Sequence, residues 1–179
     1  MNSLNIATKN DLPNIVEMFH LYLDIFPHIR NDYIERNIKK RNVIYENEVV
    51  IIYTKYSKRT KLCRVDSKNV YALRGDIMLH QIVTKYRDGR ATKIFNKFLN
   101  TLTDKLYLTV RSDNTKAISF YERNGLKCKG VVSWKENTLP GRLYYYINES
   151  NNLGKKEPLF HVGVSIDING LDKLDIIIL

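Results

Sequence analysis

Within residues 71–102 the spacing of apolar side chains changes once, from a period of two to a period of about 3.6, and the change falls on a single glycine. Before it, the run 71–85 alternates as a strand, with Ile77, Leu79, Gln81 and Val83 on one face and Asp76, Met78, His80 and Ile82 on the other. After it, Ala91, Ile94, Phe95, Phe98, Leu99 and Leu102 follow the i, i+3, i+4, i+7 rule of an amphipathic helix. The connecting stretch is KYRDGRATKIF. A helix that starts directly after a strand leaves its first backbone N–H groups unpaired, and the helix dipole adds partial positive charge there. Gly89 allows close approach, and Arg87, Arg90 and Lys93 add charge. Such a turn suits a diphosphate, although the same geometry also serves as a plain connection.

The rest of the chain supplies the elements such a unit needs. Residues 4–9 read as a short strand, Asp11 as a helix cap and Pro13 as a first-turn residue. Ile15, Met18, Phe19, Tyr22, Leu23 and Phe26 then recur at the helical period until Pro27 stops it. Residues 31–40 read as a second, more polar helix, and residues 42–56 as a hairpin turning at Glu46-Asn47-Glu48. A strand at 105–110, a short helix closed by Gly125, and two strands flanking Leu139-Pro140-Gly141 follow. Asn169-Gly170 marks a last hairpin. The order β-α-α-β-β-β-α-β-α-β-β predicts a mixed α/β (α+β) fold with a central sheet flanked by helices. A chain of 179 residues supports one such core. Residues 1–147 are expected to form it, with 148–179 as a C-terminal β-hairpin extension packed on the same domain.

Charge and composition narrow the function. The formal net charge of +10 favours phosphate-bearing partners. Lys55, Lys58, Arg59, Lys61 and Arg64 cluster with no acid among them; a solvated loop outweighs a nucleic-acid contact there, and the contact stays open. Two cysteines and four histidines are scattered, without the spacing of a metal site or a reason to expect a disulfide. No apolar run approaches the ~20 residues of a spanning helix, and the N-terminus lacks a secretory pattern, so a cytoplasmic protein is expected.

The stretch after the next strand, SDNTKAISFYERNGLK, has the spacing N-x-x-A-x-x-F-Y-E-x-x-G. Together with the turn Tyr86-Arg87-Asp88-Gly89-Arg90-Ala91, it resembles the GNAT superfamily of acetyl-coenzyme A-dependent N-acetyltransferases, whose signature turn is (Gln or Arg)-x-x-Gly-x-(Gly or Ala). Tyr86 departs from the first position of that turn, and Arg87 stands one place along. The resemblance covers the chain up to about residue 147.

That resemblance implies a sheet splayed beside the turn, with Gln81, Ile82 and Val83 along the pantetheine arm of the cofactor. It further implies Arg87, Gly89, Arg90, Ala91 and Thr92 around the diphosphate, and Asn114 and Ala117 near the pantetheine region. Tyr121 resembles the general acid: a phenol near pKa 10 stays protonated at neutral pH and can donate to a thiolate whose thiol has a pKa near 8.5. His80, in Leu79-His80-Gln81-Ile82, resembles the strand histidine of some aralkylamine acetyltransferases and is the candidate base, with Asp76 sharing its face. The acceptor is an amine, and a homodimer is compatible with the family. Two other readings stay open. One is a viral DNA-adenine modification enzyme of the Mom type, with the basic cluster on DNA and Trp134, Tyr144 or Tyr146 stacking on an extruded base. The other is a binding module without chemistry.

Overall fold

The structure, a computed structural model, describes residues 3–23, 29–134 and 139–151. Four helices, α1 (Leu12–His20), α2 (Asn31–Lys39), α3 (Arg90–Thr101) and α4 (Thr115–Arg123), accompany eight strands among these residues. The strands are β1 (Val43–Glu46), β2 (Val49–Lys55), β3 (Thr60–Val65), β4 (Lys68–Ala72), β5 (Ile77–Thr84), β6 (Leu106–Arg111), β7 (Lys127–Trp134) and β8 (Leu139–Tyr146). Six of them form one sheet in the order β1-β2-β5-β6-β8-β7, while β3 and β4 form a separate ribbon. The pair β5–β6 is parallel, and the other described pairs are antiparallel. The mixed sheet flanked by helices agrees with the expected fold class. The hairpin expected around Asn169-Gly170 lies outside the described residues.

Alternation along the strands sends side chains to two faces, and each face is covered differently. On one, Ile94, Phe95, Phe98 and Leu99 of α3 and Ala117, Phe120 and Tyr121 of α4 pack on Ile51, Leu79, Ile82, Leu108 and Val110. On the other, α1 and α2 deliver Ile15, Met18, Phe19, Ile34 and Ile38 onto Val50, Ile52 and Val83. Further along, the β3–β4 ribbon buries Leu62, Cys63, Val65, Val70 and Ala72 against Met78, Tyr107, Val132 and Leu143.

Several expectations need correction. Residues 4–9 contribute a single antiparallel bridge, Ile6 to Ile44, rather than a full strand. The long run 71–85 is two strands, β4 and β5, broken at Leu73–Asp76, where Gly75 takes a φ of +98°. The cluster from Lys55 to Arg64, expected as a loop, carries the end of β2 and most of β3. Its partner β4 is reached through Asp66 and Ser67 with φ of +51° and +63°, a pair of positive values that a tight two-residue hairpin turn requires. Asn47 and Glu48 build the β1–β2 turn in the same way, with φ of +50° and +57°. Leu139-Pro140-Gly141 is not a turn: it opens β8, where Pro140 faces Ser133 and Gly141 faces both Arg111 and Val132. Proline is tolerated there because it stands at the start of the strand.

The ribbon meets the sheet closely at Gly130 of β7, whose φ is +148°. A Cβ at this position would lie 2.3 Å from Val65 Cγ1. At Gly89, with φ of +85°, a Cβ would meet nothing within 4 Å. Gly130→Ala should therefore combine backbone strain with overpacking and cost about 3 kcal/mol, whereas Gly89→Ala should cost only the strain, about 1 kcal/mol. Urea denaturation of both variants checks this; an equal loss at the two sites would remove the close contact as the cause.

Candidate functional site

The site begins where two strands stop pairing. Asp76 is buried, and its carboxylate accepts the backbone N–H of Leu73 at 2.7 Å and that of Lys105 at 3.2 Å. Burial, opposed by those two hydrogen bonds, raises its pKa above the usual carboxylate value. This clamp joins the start of β5 to the segment entering β6. Parallel pairing then runs through Ile77–Leu106 and Met78–Tyr107 and goes no further, although β5 continues to Thr84 and β6 to Arg111. On its other side β5 stays paired with β2 as far as Thr84. The strands therefore diverge, and the β5 backbone beyond Met78 keeps one ladder partner where it could have two.

A bulge accompanies the divergence. Tyr53 of β2 faces Leu79 and Ile52 faces Gln81, so His80 is an extra residue in β5. It reverses the alternation: Ile77, Leu79 and Ile82 share the α3–α4 face, while Val83 joins the α1–α2 face. The predicted grouping of Leu79 with Gln81 and Val83 fails for this reason.

At the end of β5 the chain enters α3 through Gly89, whose left-handed φ is one that L side chains rarely adopt. A cleft of about 460 Å³ opens between this turn and α4, lined by Arg87, Gly89, Ala91 and Thr92 on one side and by Lys116, Ser119 and Arg123 on the other. Its lining contains three cations and no carboxylate. Of the first amides of α3, that of Arg90 donates to Asp88 at 3.2 Å, and that of Lys93 donates to the Gly89 carbonyl at 3.1 Å. The amides of Ala91 and Thr92 lie between them, on residues that line the cleft.

Arg90 does not line the cleft. Its guanidinium pairs with Asp88 at 2.7 Å and with Glu48 at 3.1 Å and lies 3.9 Å over the Tyr86 ring. Glu48 also holds Lys85 at 3.1 Å. Arg90 thus braces the turn against the β1–β2 hairpin.

Several buried polar atoms on β5, β6 and α4 have no hydrogen-bond partner. Among the described residues they include His80 Nδ1, Gln81 Nε2, Thr109 Oγ1 and Tyr121 Oη. Tyr121 is wholly buried, packed edge-on against Phe95 and Phe120 at 6.0 and 5.6 Å between ring centroids, and desolvation raises its pKa well above that of a free phenol. His80 Nε2 sits 2.8 Å from Thr54 Oγ1. His80 is half-buried as a residue, but its Nδ1 is buried, and desolvation pushes the pKa down to about 4. Gln81 accepts from the Tyr33 hydroxyl of α2 at 3.2 Å. Continued past Met78–Tyr107, the β5–β6 register would set His80 level with Thr109.

The structure thus brings Arg87, Gly89, Ala91 and Thr92 together at the cleft and sets His80 and Gln81 on the diverging strand. Asn114 caps α4 by accepting the Ala117 N–H at 3.1 Å, a role compatible with the expected one, and Ala117 is buried in the core; the cleft lining includes neither. Asp76 is held by the clamp, not by His80. Tyr144, a stacking candidate in the nucleic-acid reading, is fully buried and donates to Glu122 at 2.7 Å. Sequence reasoning missed Lys116, Ser119 and Arg123, although their i, i+3, i+7 spacing marks one face of α4. It also missed Thr54 and Tyr33, which become neighbours of β5 only through the sheet and α2.

Because the folded chain holds His80 at a pKa of about 4 against a free value of 6.5, the unfolded chain binds the extra proton between those values. The related stability is complete above pH 6.5 and declines as pH falls toward 4. With the partial exposure of His80 allowed for, the loss is about 2 kcal/mol. Urea midpoints across that window should fall less steeply in His80→Gln than in the parent; identical slopes would mean that His80 titrates like an exposed imidazole.

No protein-family model matches the sequence, and no curated protein matches it either. Solved structures do share its architecture. Ard1 from Thermoplasma volcanium superposes with a TM-score of 0.59 at 13% identity, over 81% of this chain and 96% of its own. NAA60 from Arabidopsis thaliana, solved in complex with acetyl-CoA, gives 0.56 at 15%, over 82% and 99%. The ribosomal-protein-S18-alanine N-acetyltransferase from Escherichia coli gives 0.55 at 14%, over 89% and 100%. The mixed sheet and its flanking helices therefore have a GNAT-like fold.

Proposed function

We propose that the chain is an N-acyltransferase that moves an acyl group, acetyl in the simplest case, from acyl-coenzyme A to an amine. One observation carries the reading: β5 loses its partner β6 after Met78 and leads, through a glycine turn, into a cleft lined by cations. The residues fit such a cofactor. The cleft has room at Gly89, positive lining from Arg87, Lys116 and Arg123, and amides at the start of α3 for a diphosphate. Asp88 takes the Arg90 amide, so the diphosphate is read with those of Ala91 and Thr92. Arg90 is assigned to the turn, and Asn114 to the α4 cap. When bound, acyl-coenzyme A supplies an activated thioester and leaves as a thiolate.

The chain's own groups then divide the proton work. Tyr121, neutral by burial and without a partner for its hydroxyl, donates from Oη to the departing sulfur. His80 is neutral at physiological pH, and in the tautomer whose Nε2–H donates to Thr54 it leaves Nδ1 as an acceptor. An imidazole of pKa near 4 is too weak to strip a resting ammonium; it takes the proton from the amine nitrogen once that nitrogen has attacked. Gln81 and Tyr33 fix the strand beside it. Co-purified or added acyl-coenzyme A, identified by mass spectrometry of the protein, tests the cofactor and the acyl group together.

Gly89→Glu puts a carboxylate at the turn, and coenzyme A binding by calorimetry should be lost while circular dichroism stays native. Unchanged affinity would remove the turn from the cofactor site. Tyr121→Phe separates chemistry from packing. It deletes a buried hydroxyl without a partner, so stability should hold or rise by about 1 kcal/mol, while the chemical step slows by ~10²–10⁴. A wild-type single-turnover rate would leave the ring as a packing group only.

A further inference from the structure

The β3–β4 ribbon concentrates charge that the acyl-transfer reading does not use. Residues 55–74 hold seven basic residues, Lys55, Lys58, Arg59, Lys61, Arg64, Lys68 and Arg74, against the one acid Asp66. That is a net of +6 within a chain of +10. A bulge decides where these charges point. Lys61 faces Tyr71 and Cys63 faces Val70, so Leu62 is an extra residue in β3. Leu62 and Cys63 are both buried, and the alternation resumes with Lys61 and Arg64 on the same outward face. Across the ladder stand Tyr71 and Asn69. The Arg59 guanidinium lies 3.6 Å over the Tyr71 ring. On the neighbouring β7, exposed Lys129 lies 5.5 Å over Tyr145, so the positive surface extends past the ribbon.

We infer that the outward face of this ribbon docks on the phosphate backbone of duplex DNA. The ribbon is an antiparallel pair about 5 Å wide between strand axes, and B-DNA's major groove, about 12 Å across, admits a two-stranded ribbon. Arg59 is held over Tyr71, which restricts its guanidinium and lowers the ordering cost of a phosphate contact. Lys58, Arg59 and Lys61 are exposed, with Arg64 half-buried behind them. Arg64 Nε is buried without a partner, an unpaired donor beneath the same face. A run of outward cations without an acid between Lys55 and Arg64, one of them held over an aromatic ring, matches a regular polyanion better than an irregular acidic protein surface.

The inference stands apart from the acyltransferase reading, and its test keeps the two distinguishable. Fluorescence anisotropy of a labelled 20-base-pair DNA duplex is followed from about 20 to 300 mM salt, with poly-glutamate as the competing polyanion. Binding should weaken steeply with salt and be alike for different sequences. The triple variant Lys58→Ala, Arg59→Ala, Lys61→Ala should reduce the log–log salt slope by about 0.9 for each phosphate that is no longer neutralised, and should weaken low-salt binding at least tenfold. Its coenzyme A affinity and circular dichroism should match the parent. Lys39→Ala with Lys40→Ala, an exposed pair of cations on and beside α2, should leave DNA binding unchanged. Three results would overturn the inference: no duplex binding at 20 mM salt, an unchanged salt slope in the triple variant, or displacement by poly-glutamate at equal charge concentration.

Discussion

Asp76 holds two backbone N–H groups at once, one in its own turn and one entering β6. A buried carboxylate is costly unless satisfied, and these two bonds, with the Ile77 N–H donating to the Lys105 carbonyl at 2.8 Å, convert that cost into a fixed origin for the parallel pair. Everything beyond depends on that origin. The pair is anchored at its start, ends after Met78, and is followed in β5 by His80, which is an extra residue relative to β2. The antiparallel pairing to β2 continues and the parallel pairing gives way. The bulge lies just beyond the point where the β6 edge of β5 opens, and the opened edge runs toward Gly89.

Most elements were legible because their periods were clean. The change of period at Gly89 marks the start of α3, and the residues predicted to line its buried face, from Ala91 to Leu102, are buried. Two of the failures come from bulges. Bulges at His80 and at Leu62 each place two consecutive residues on one face, which a period of two cannot represent. At Leu62 the apolar pair between Lys61 and Arg64 reads as a charged loop when it is a strand. The turn after it is built from Asp66 and Ser67 at positive φ without glycine, so the strongest hairpin signal is missing. The reverse error occurred at Pro140-Gly141, where two turn-forming residues begin a strand.

The candidate site was legible to a similar depth. A local motif identifies residues whose role is backbone geometry, which is why Gly89, Ala91 and Thr92 appear at the cleft. It is less reliable for long side chains. Arg90 has the charge for a phosphate but finds Asp88 two residues before it and Glu48 across the sheet, and a bidentate carboxylate partner holds a guanidinium more firmly than an open cleft does. Thr54, Tyr33 and Lys116 lie far from the motif in sequence or outside its consensus positions, so only the fold brings them to it.

Desolvation sets both proton-handling groups in the proposed reaction, and it does so in opposite directions on the pKa scale. It raises the phenol of Tyr121 and lowers the imidazole of His80, because in each case it disfavours the charged form. Both groups are therefore neutral at physiological pH, one as a donor and one as an acceptor. A phenol raised well above 10 is a poor acid toward a thiolate in water, where the thiol pKa lies near 8.5. Toward a thiolate in the same dry surroundings the mismatch shrinks, since burial raises the thiol as well. The unpartnered Tyr121 hydroxyl among Phe95 and Phe120 is thus suited to donate only when the sulfur it meets is also out of water. In the proposed reaction that condition ties proton transfer to the exclusion of water from the departing sulfur.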